Sequence, residues 1–183
     1  MAEGQGEGWM DTEHFMPSPT FVGIDLGTQS VRAIVIDSET GAVIAAATAE
    51  YPLLTPEPQW AEQDPADWWR ASQTAISRAL ELAGDRAADL AGLGLTGQMH
   101  GLVLLDERDS VVRPAILWCD QRTERQCAEI TERVGAERLV RITGNPALTG
   151  FQAPKVLWLR DEEAANFDRV AQCCCRRITF VMS

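Results

Sequence analysis

The sequence predicts an α/β domain built on a mixed sheet, and three observations carry that expectation. Three β-like apolar runs stand together near the start, FVGIDL, VRAIVID and AVIAAATAEY, with only GTQS and SETG between them. A well-delimited amphipathic helix follows, from Asp64 to about Gly84. Further strand-like runs then precede a group of helices. An all-parallel nucleotide-binding fold would alternate strand and helix from its first element. Three strands joined by tight turns instead make an antiparallel meander at the outset.

The elements can be justified in order. Residues 1–19 are rich in Gly, Glu and Pro, carry no period, and read as a disordered lead within which Met10 or Met16 could be the start. After the three strands, YPLLTPEPQWAEQD holds three prolines and reads as a loop carrying Trp60 and Glu62. Asp64 is a good N-cap, Pro65 suits the first helical position and Asp67 the first turn. Trp68, Ser72, Ala75, Ile76, Ala79, Leu80 and Ala83 recur at three- and four-residue steps, which gives the helix one face to bury on the sheet. LAGLGLTG, GLVLLDE and AILW read as strands. QRTERQCAEITERVG reads as an amphipathic helix stopped by Gly135, AERLVRITG as a short helical piece, and APKVLWLRDEEAANF as a helix with Pro154 near its first turn. This order suits the ribonuclease-H-like sheet of the actin-like ATPases.

Composition narrows the class of partner. The chain has 183 residues and a formal net charge of −11, which disfavours nucleic acid or an anionic membrane as the main partner, although a local basic pocket could still hold an anion. No window reaches the apolar length of a membrane helix, and the start lacks the basic and apolar regions of a secretory signal. The expected location is cytoplasmic. Cys119 and Cys127 serve the body of the chain, which fits a reducing compartment, while Cys173, Cys174 and Cys175 crowd into the tail.

Three segments have the residue types of a site. In GIDLGTQSVRA, Asp25 ends an apolar strand and Gly27, Thr28, Gln29 and Ser30 form the turn after it. Glycine lets backbone N–H groups approach an oxyanion, hydroxyls add donors, and a carboxylate can hold hydrated Mg²⁺. The same residues also serve a plain hairpin. In LGLTGQMHGLVLLD, Gly97 and Gly101 bracket Gln98, Met99 and His100 between two strands, where side chains can project into a cleft. In AILWCDQRTERQ, Trp118 offers a flat wall for a sugar's C–H face and Asp120 an acceptor for its hydroxyls. Equally, Trp118 could be core and Asp120 the cap of a helix starting at Gln121, and Trp60 and Glu62 have the same two readings.

With GIDLGTQSVRA, QWAEQDPADWW, GLGLTGQMHGLVLLD and PAILWCDQRT in this order, the chain resembles the FGGY carbohydrate kinases over residues 20–171. Glycerol kinases place an Arg-Glu pair where this chain has Met99 and His100. The branch it resembles instead acts on D-xylulose, and a kinase for another ketose or a polyol, or a non-catalytic actin-like fragment, are the alternatives. The resemblance implies ATP-dependent phosphorylation of a sugar hydroxyl between two actin-like domains, with this chain matching part of the first. By it, Asp25, Gly27, Thr28, Gln29, Ser30 and Arg32 lie on the side of the ATP phosphates and Mg²⁺, with Asp25 holding the ion through water. Met99 and His100 contact the small-molecule sugar, with Trp118 and Asp120 as further sugar-side residues. Arg32 stands where many members carry lysine, which keeps the charge and changes the hydrogen-bond geometry. The aspartate base and the adenine-binding domain of the family lie in segments this chain does not contain, so the 183 residues alone are expected to be inactive.

The tail, residues 172–183, reads differently. Members of the family continue with a stretch like His-Val-Leu-Leu-Pro-Lys-Asp-Tyr-Val, and that stretch, with synonymous codons chosen and one nucleotide deleted, reads Gln-Cys-Cys-Cys-Arg-Arg-Ile-Thr. Three adjacent cysteines suit a tetrahedral metal site poorly. A shifted reading frame is therefore expected from Gln172 onward. Resequencing the genomic locus checks it: kinase-like coding sequence should resume in another frame downstream, and an uninterrupted gene with none overturns the frameshift.

Overall fold

The structure is a computed structural model and describes residues 18–175. Most of the sequence-expected lead, His14, and the tail after Cys175 lie outside the described residues. The three opening runs form β1 (Thr20–Leu26), β2 (Ser30–Asp37) and β3 (Val43–Glu50), an antiparallel meander. A two-residue strand β4 (Glu62–Gln63) precedes α1 (Pro65–Ala83). A 3₁₀ turn (Gly84–Asp89) leads into β5 (Leu90–Gly97), which runs parallel to β1, so this sheet is mixed with order β3-β2-β1-β5.

α1 begins as its sequence dictates: the Asp64 side chain accepts from the Ala66 N–H, Pro65 opens the helix, and Gly84 ends it at φ 56°. Its buried face, with Trp68, Ala71, Ser72, Ala75, Ala79 and Ala83, lies on β2 and β3. Alternation along β1 and β2 sends Val22, Ile24, Leu26, Val31, Ala33 and Val35 into this core. The intervening Asp25 and Arg32 consequently face the opposite side of the sheet. At the far end, Asp37 organises the β2–β3 turn by accepting from the Glu39 and Thr40 N–H groups and from Arg86 at 2.9 Å. These donors, with Ser18, hold its carboxyl well below the usual range.

The second sheet has order β4-β7-β6-β8, formed by β4 with β6 (Leu102–Leu105), β7 (Ala115–Ile116) and β8 (Gln172–Cys175). All four β6 residues are buried. Val103 and Leu105 join the α1 core, whereas Leu102 and Leu104 pack with Ile116, Trp158 and Leu159 in a second one. The helices are α2 (Glu124–Val134), α3 (Ala136–Thr143), α4 (Gln152–Glu162) and α5 (Ala164–Phe167).

Several boundaries differ from the sequence expectation for identifiable reasons. The segment read as loop contains β4, because Glu62 and Gln63 pair with Ile116 and Ala115. AILW contributes only two residues to a strand. α2 starts after Thr123, not at Gln121: the Asp120 carboxylate accepts the Arg122 N–H at 3.0 Å as well as the Arg122 guanidinium and the Ala61 N–H, and residues 122–123 form a turn before the helix. The long final helix divides at Glu163 into α4 and α5. The first four residues assigned to the tail form β8, which pairs antiparallel with β6 and buries Cys174 in the main core. Of the three consecutive cysteines only Cys174 is buried, and a small apolar thiol fits that inward position of an edge strand.

Trp68 is 2% exposed and donates its indole N–H to Gln63 at 2.9 Å. Trp68→Ala is expected to lower unfolding stability by about 3–5 kcal/mol, read as a shift of the urea midpoint; a shift below about 1 kcal/mol contradicts this packing.

Candidate active site

β1 and β5 are parallel and end together, with Leu26 opposite Gly97. Ligands of open α/β sheets sit beyond such carboxyl ends. The turn at residues 27–30 follows β1, and the loop at residues 98–101 follows β5. The Gln98 N–H donates to Leu26 O at 3.1 Å, and the Gln98 carboxamide nitrogen donates to the Thr28 hydroxyl. Close approach requires Gly97, since a Cβ there would meet the Leu26 Cβ at 3.0 Å. The structure thus brings two of the three sequence-selected segments into direct contact.

The first turn is clamped from below. The Gly27 N–H donates to Ser30 O at 2.9 Å, and the Tyr51 hydroxyl lies 2.6 Å from Gly27 O and 3.0 Å from Ser30 O. Gln63 donates to Thr28 O at 2.7 Å while accepting from Trp68, so the turn is coupled to the N-terminal end of α1. Asp25 and Arg32 are cross-strand partners on the exposed face, and Thr96 pairs with Asp25 from the other side. All three line a shallow depression of about 460 Å³. The Asp25 carboxylate has no ion pair or side-chain hydrogen bond among the described residues. An open carboxylate followed by Thr28 and Ser30 hydroxyls is a hard-oxygen donor set, which fits hydrated Mg²⁺.

Met99 is 64% exposed and His100 is exposed beside it. His100 has φ 65°, the left-handed region that a side chain disfavours. Its ring packs edge-on against Phe151 at 4.8 Å and borders a cavity of about 290 Å³ that also touches Leu139, Asn145 and Pro154. Two residues that the sequence reading did not select fix this loop from behind. Lys155 donates to His100 O at 2.9 Å and to Gly150 O at 2.8 Å, and Gln152 donates to Gly101 O at 3.3 Å. A single lysine inside the apolar run APKVLWL was the available signal, because an ammonium at a core-facing helix position requires internal partners. Burial lowers its pKa to about 8 against the attraction of Asp120.

The third segment divides. Trp118 is 48% exposed, and its carbonyl lies so close to Gly150 that a Cβ there would approach it to 2.9 Å. Asp120 is fully buried: it accepts from the Ala61 N–H at 2.7 Å and forms a forked pair with Arg122 at 2.7–3.0 Å. The Arg122 guanidinium stacks on Trp60 at 3.6 Å and lies 4.8 Å from Trp158. Its Nη1 is 2.7 Å from Glu62, an ionic contact without hydrogen-bond alignment. Glu62 also pairs with Arg113, which reaches Glu163 at 2.6 Å. Trp60, Glu62 and Asp120 therefore belong to a buried ionic and aromatic cluster, and of this segment Trp118 is the residue that presents surface.

A mixed sheet whose parallel strands end together, with the loops after them in contact, is the fold of the actin-like ATPase class. Residues 20–182 match the N-terminal domain of the FGGY family of carbohydrate kinases, and the chain belongs to that family. It is 47% identical to the xylulose kinase of Klebsiella pneumoniae over 150 residues, which are 82% of this chain and 30% of that one. It is 43% identical to the xylulose kinase of Escherichia coli over 152 residues, with the same two shares. Among solved structures it is similar to a xyloylose kinase from Brucella ovis, at 39% identity and a TM-score of 0.83, covering 89% of this chain and 34% of that one. The xylulose kinase of Rhodospirillum rubrum aligns at 32% identity and a TM-score of 0.84, with 89% and 33% covered. The chain spans about 30% of the length of the curated relatives it matches.

Arg122→Met would leave the buried carboxylates of Asp120 and Glu62 facing each other with less compensation. The expected loss is about 3–5 kcal/mol of stability, measured by denaturant titration, and a variant as stable as the parent overturns the assignment of Arg122 as the centre of this cluster.

Proposed function

We propose that the chain supplies the phosphate-side and sugar-side loops of a cytoplasmic xylulokinase-like enzyme, whose whole form transfers the γ-phosphoryl group of ATP to D-xylulose, giving D-xylulose 5-phosphate and ADP. The observation that carries this reading is the shared end of β1 and β5, where the Gln98 N–H donates to Leu26 O at 3.1 Å. It joins a turn suited to phosphate to a loop suited to a polyhydroxylated ligand, and phosphoryl transfer needs those two groups side by side. The similarity to xylulose kinases over 82% of the chain supports the choice of sugar.

In this reading Gly27, Thr28, Gln29 and Ser30 face the ATP phosphates, and Arg32 adds positive charge beside Asp25. Asp25 holds Mg²⁺ through water; the ion, when bound, neutralises phosphate charge. Met99 covers an apolar edge of the sugar, and the ring of His100 exchanges hydrogen bonds with its hydroxyls. Trp118 offers an exposed indole face for C–H groups. Asp120 acts by holding the 118–123 segment through Arg122, since both its oxygens already have protein partners. The base for the sugar hydroxyl comes from outside these 183 residues. No helix among the described residues is long and apolar enough to cross a membrane, and the net charge of −11 disfavours nucleic acid.

The 183-residue polypeptide is expected to bind D-xylulose more tightly than glycerol in an NMR titration, with His100→Ala weakening the sugar by about tenfold or ~1.4 kcal/mol. A coupled assay should detect no ADP release from it with ATP and D-xylulose. Equal affinity for both ligands removes the ketose assignment, and sustained turnover removes the external base.

A further inference from the structure

Lys155 is the chain's one lysine, and its side chain is sealed from solvent. A buried ammonium is costly, and an apolar side chain of the same length would ordinarily serve the core better. Here its donors go to two backbone carbonyls, those of His100 and Gly150. Gln152, three residues earlier and on the same helical face, donates to the carbonyl of Gly101. The first turn of α4 therefore grips consecutive carbonyls of the sugar-side loop. The residue gripped by Lys155 is also the one in the left-handed conformation, which persists only where its surroundings over-determine it.

We propose that Lys155 is a positioning residue for sugar recognition: its ammonium holds the His100 carbonyl, fixes the left-handed backbone there, and so aims Met99 and His100 without touching the sugar. The proposal rests on the sugar-kinase reading of this loop.

The charge on Lys155 is the variable that tests it. The groups acting on the ammonium are Asp120, Cys119 and Arg122 from the adjoining segment; burial pushes the Cys119 thiol upward, so it keeps its proton as the lysine titrates. Loss of the lysine proton through about pH 8 turns charge-assisted hydrogen bonds into weaker neutral ones. The folded pKa lies below the ordinary value of 10.5, so between about 8 and 10.5 the unfolded chain holds the extra proton. This group then makes folding more favourable as pH rises. Loosening of the loop and loss of the fold consequently have opposite pH signs.

The full 183-residue chain, labelled with ¹⁵N at lysine and histidine, would be titrated from pH 7 to 9.5 without sugar and then with D-xylulose. Lys155 gives one side-chain signal, and His14→Gln identifies the His100 amide. The His100 amide should move with the Lys155 midpoint while circular dichroism stays constant. D-xylulose affinity should fall about five- to tenfold across the same midpoint. Lys155→Met should bind about tenfold more weakly, with no pH dependence in this window. A His100 amide indifferent to the Lys155 titration overturns the proposal, as does parental affinity in a folded Lys155→Met. If that variant fails to fold, the coupled titration of the parent decides. If His100 follows Lys155 but D-xylulose perturbs neither signal at any pH, the contact stands and the sugar reading falls.

Discussion

The site depends on the parallel pairing of β1 with β5. Three antiparallel strands alone would leave the turn after Asp25 isolated at one end of a meander. Returning the chain through α1 and the 3₁₀ turn lays β5 alongside β1 in the same direction, so that both strands stop at one level. Everything at the site follows from that shared end: Gln98 reaches Leu26 and Thr28 because Gly97 has no side chain to hold the strands apart. The alternation of β1 then separates the two tasks of the strand. Val22, Ile24 and Leu26 fasten it to α1, and Asp25 is left on the opposite face with Arg32 and Thr96.

The second sheet positions the other wall by different means. Its strands are short, and two of them have only two residues each, so hydrogen-bond ladders contribute little. Arg122 holds the region instead, lying on Trp60 and joining Asp120 to Glu62, with Arg113 extending the cluster to Glu163. Lys155 adds a further buried cation, attracted by Asp120. Removing one partner is costly because the remaining charges have no water to return to. Trp118 can stand half in solvent because Leu117 before it is buried in the main core and Asp120 beyond it is held in this cluster.

The opening meander and the boundaries of α1 were legible because local signals agreed with tertiary demand: alternating apolar residues, an Asp-Pro start and a glycine stop. The positions of the two turns were legible as well, since glycines and polar residues interrupt the apolar runs there. What the sequence concealed was long-range. Asp120 has the form of a helix cap, and only the fold reveals that Arg122 and the Ala61 N–H claim it first. Glu62 and Gln63 sit among prolines, and their pairing depends on a strand more than 50 residues away. Gln172–Cys175 carries no sign of a sheet partner, yet β6 provides a complementary edge. Lys155 stands in an apolar run, but the carbonyls of His100 and Gly150 that hold it come from other segments and show only in the fold.

That inward turn also has a practical meaning for handling the molecule. With its one lysine buried, the folded chain offers amine-directed reagents no lysine side chain at all. Acylation or reductive alkylation at Lys155 must await an opening of α4 against the loop, so its rate reports that opening directly. The protein thus contains its own chemical gauge of local breathing beside the loop at residues 98–101, with no engineered probe required.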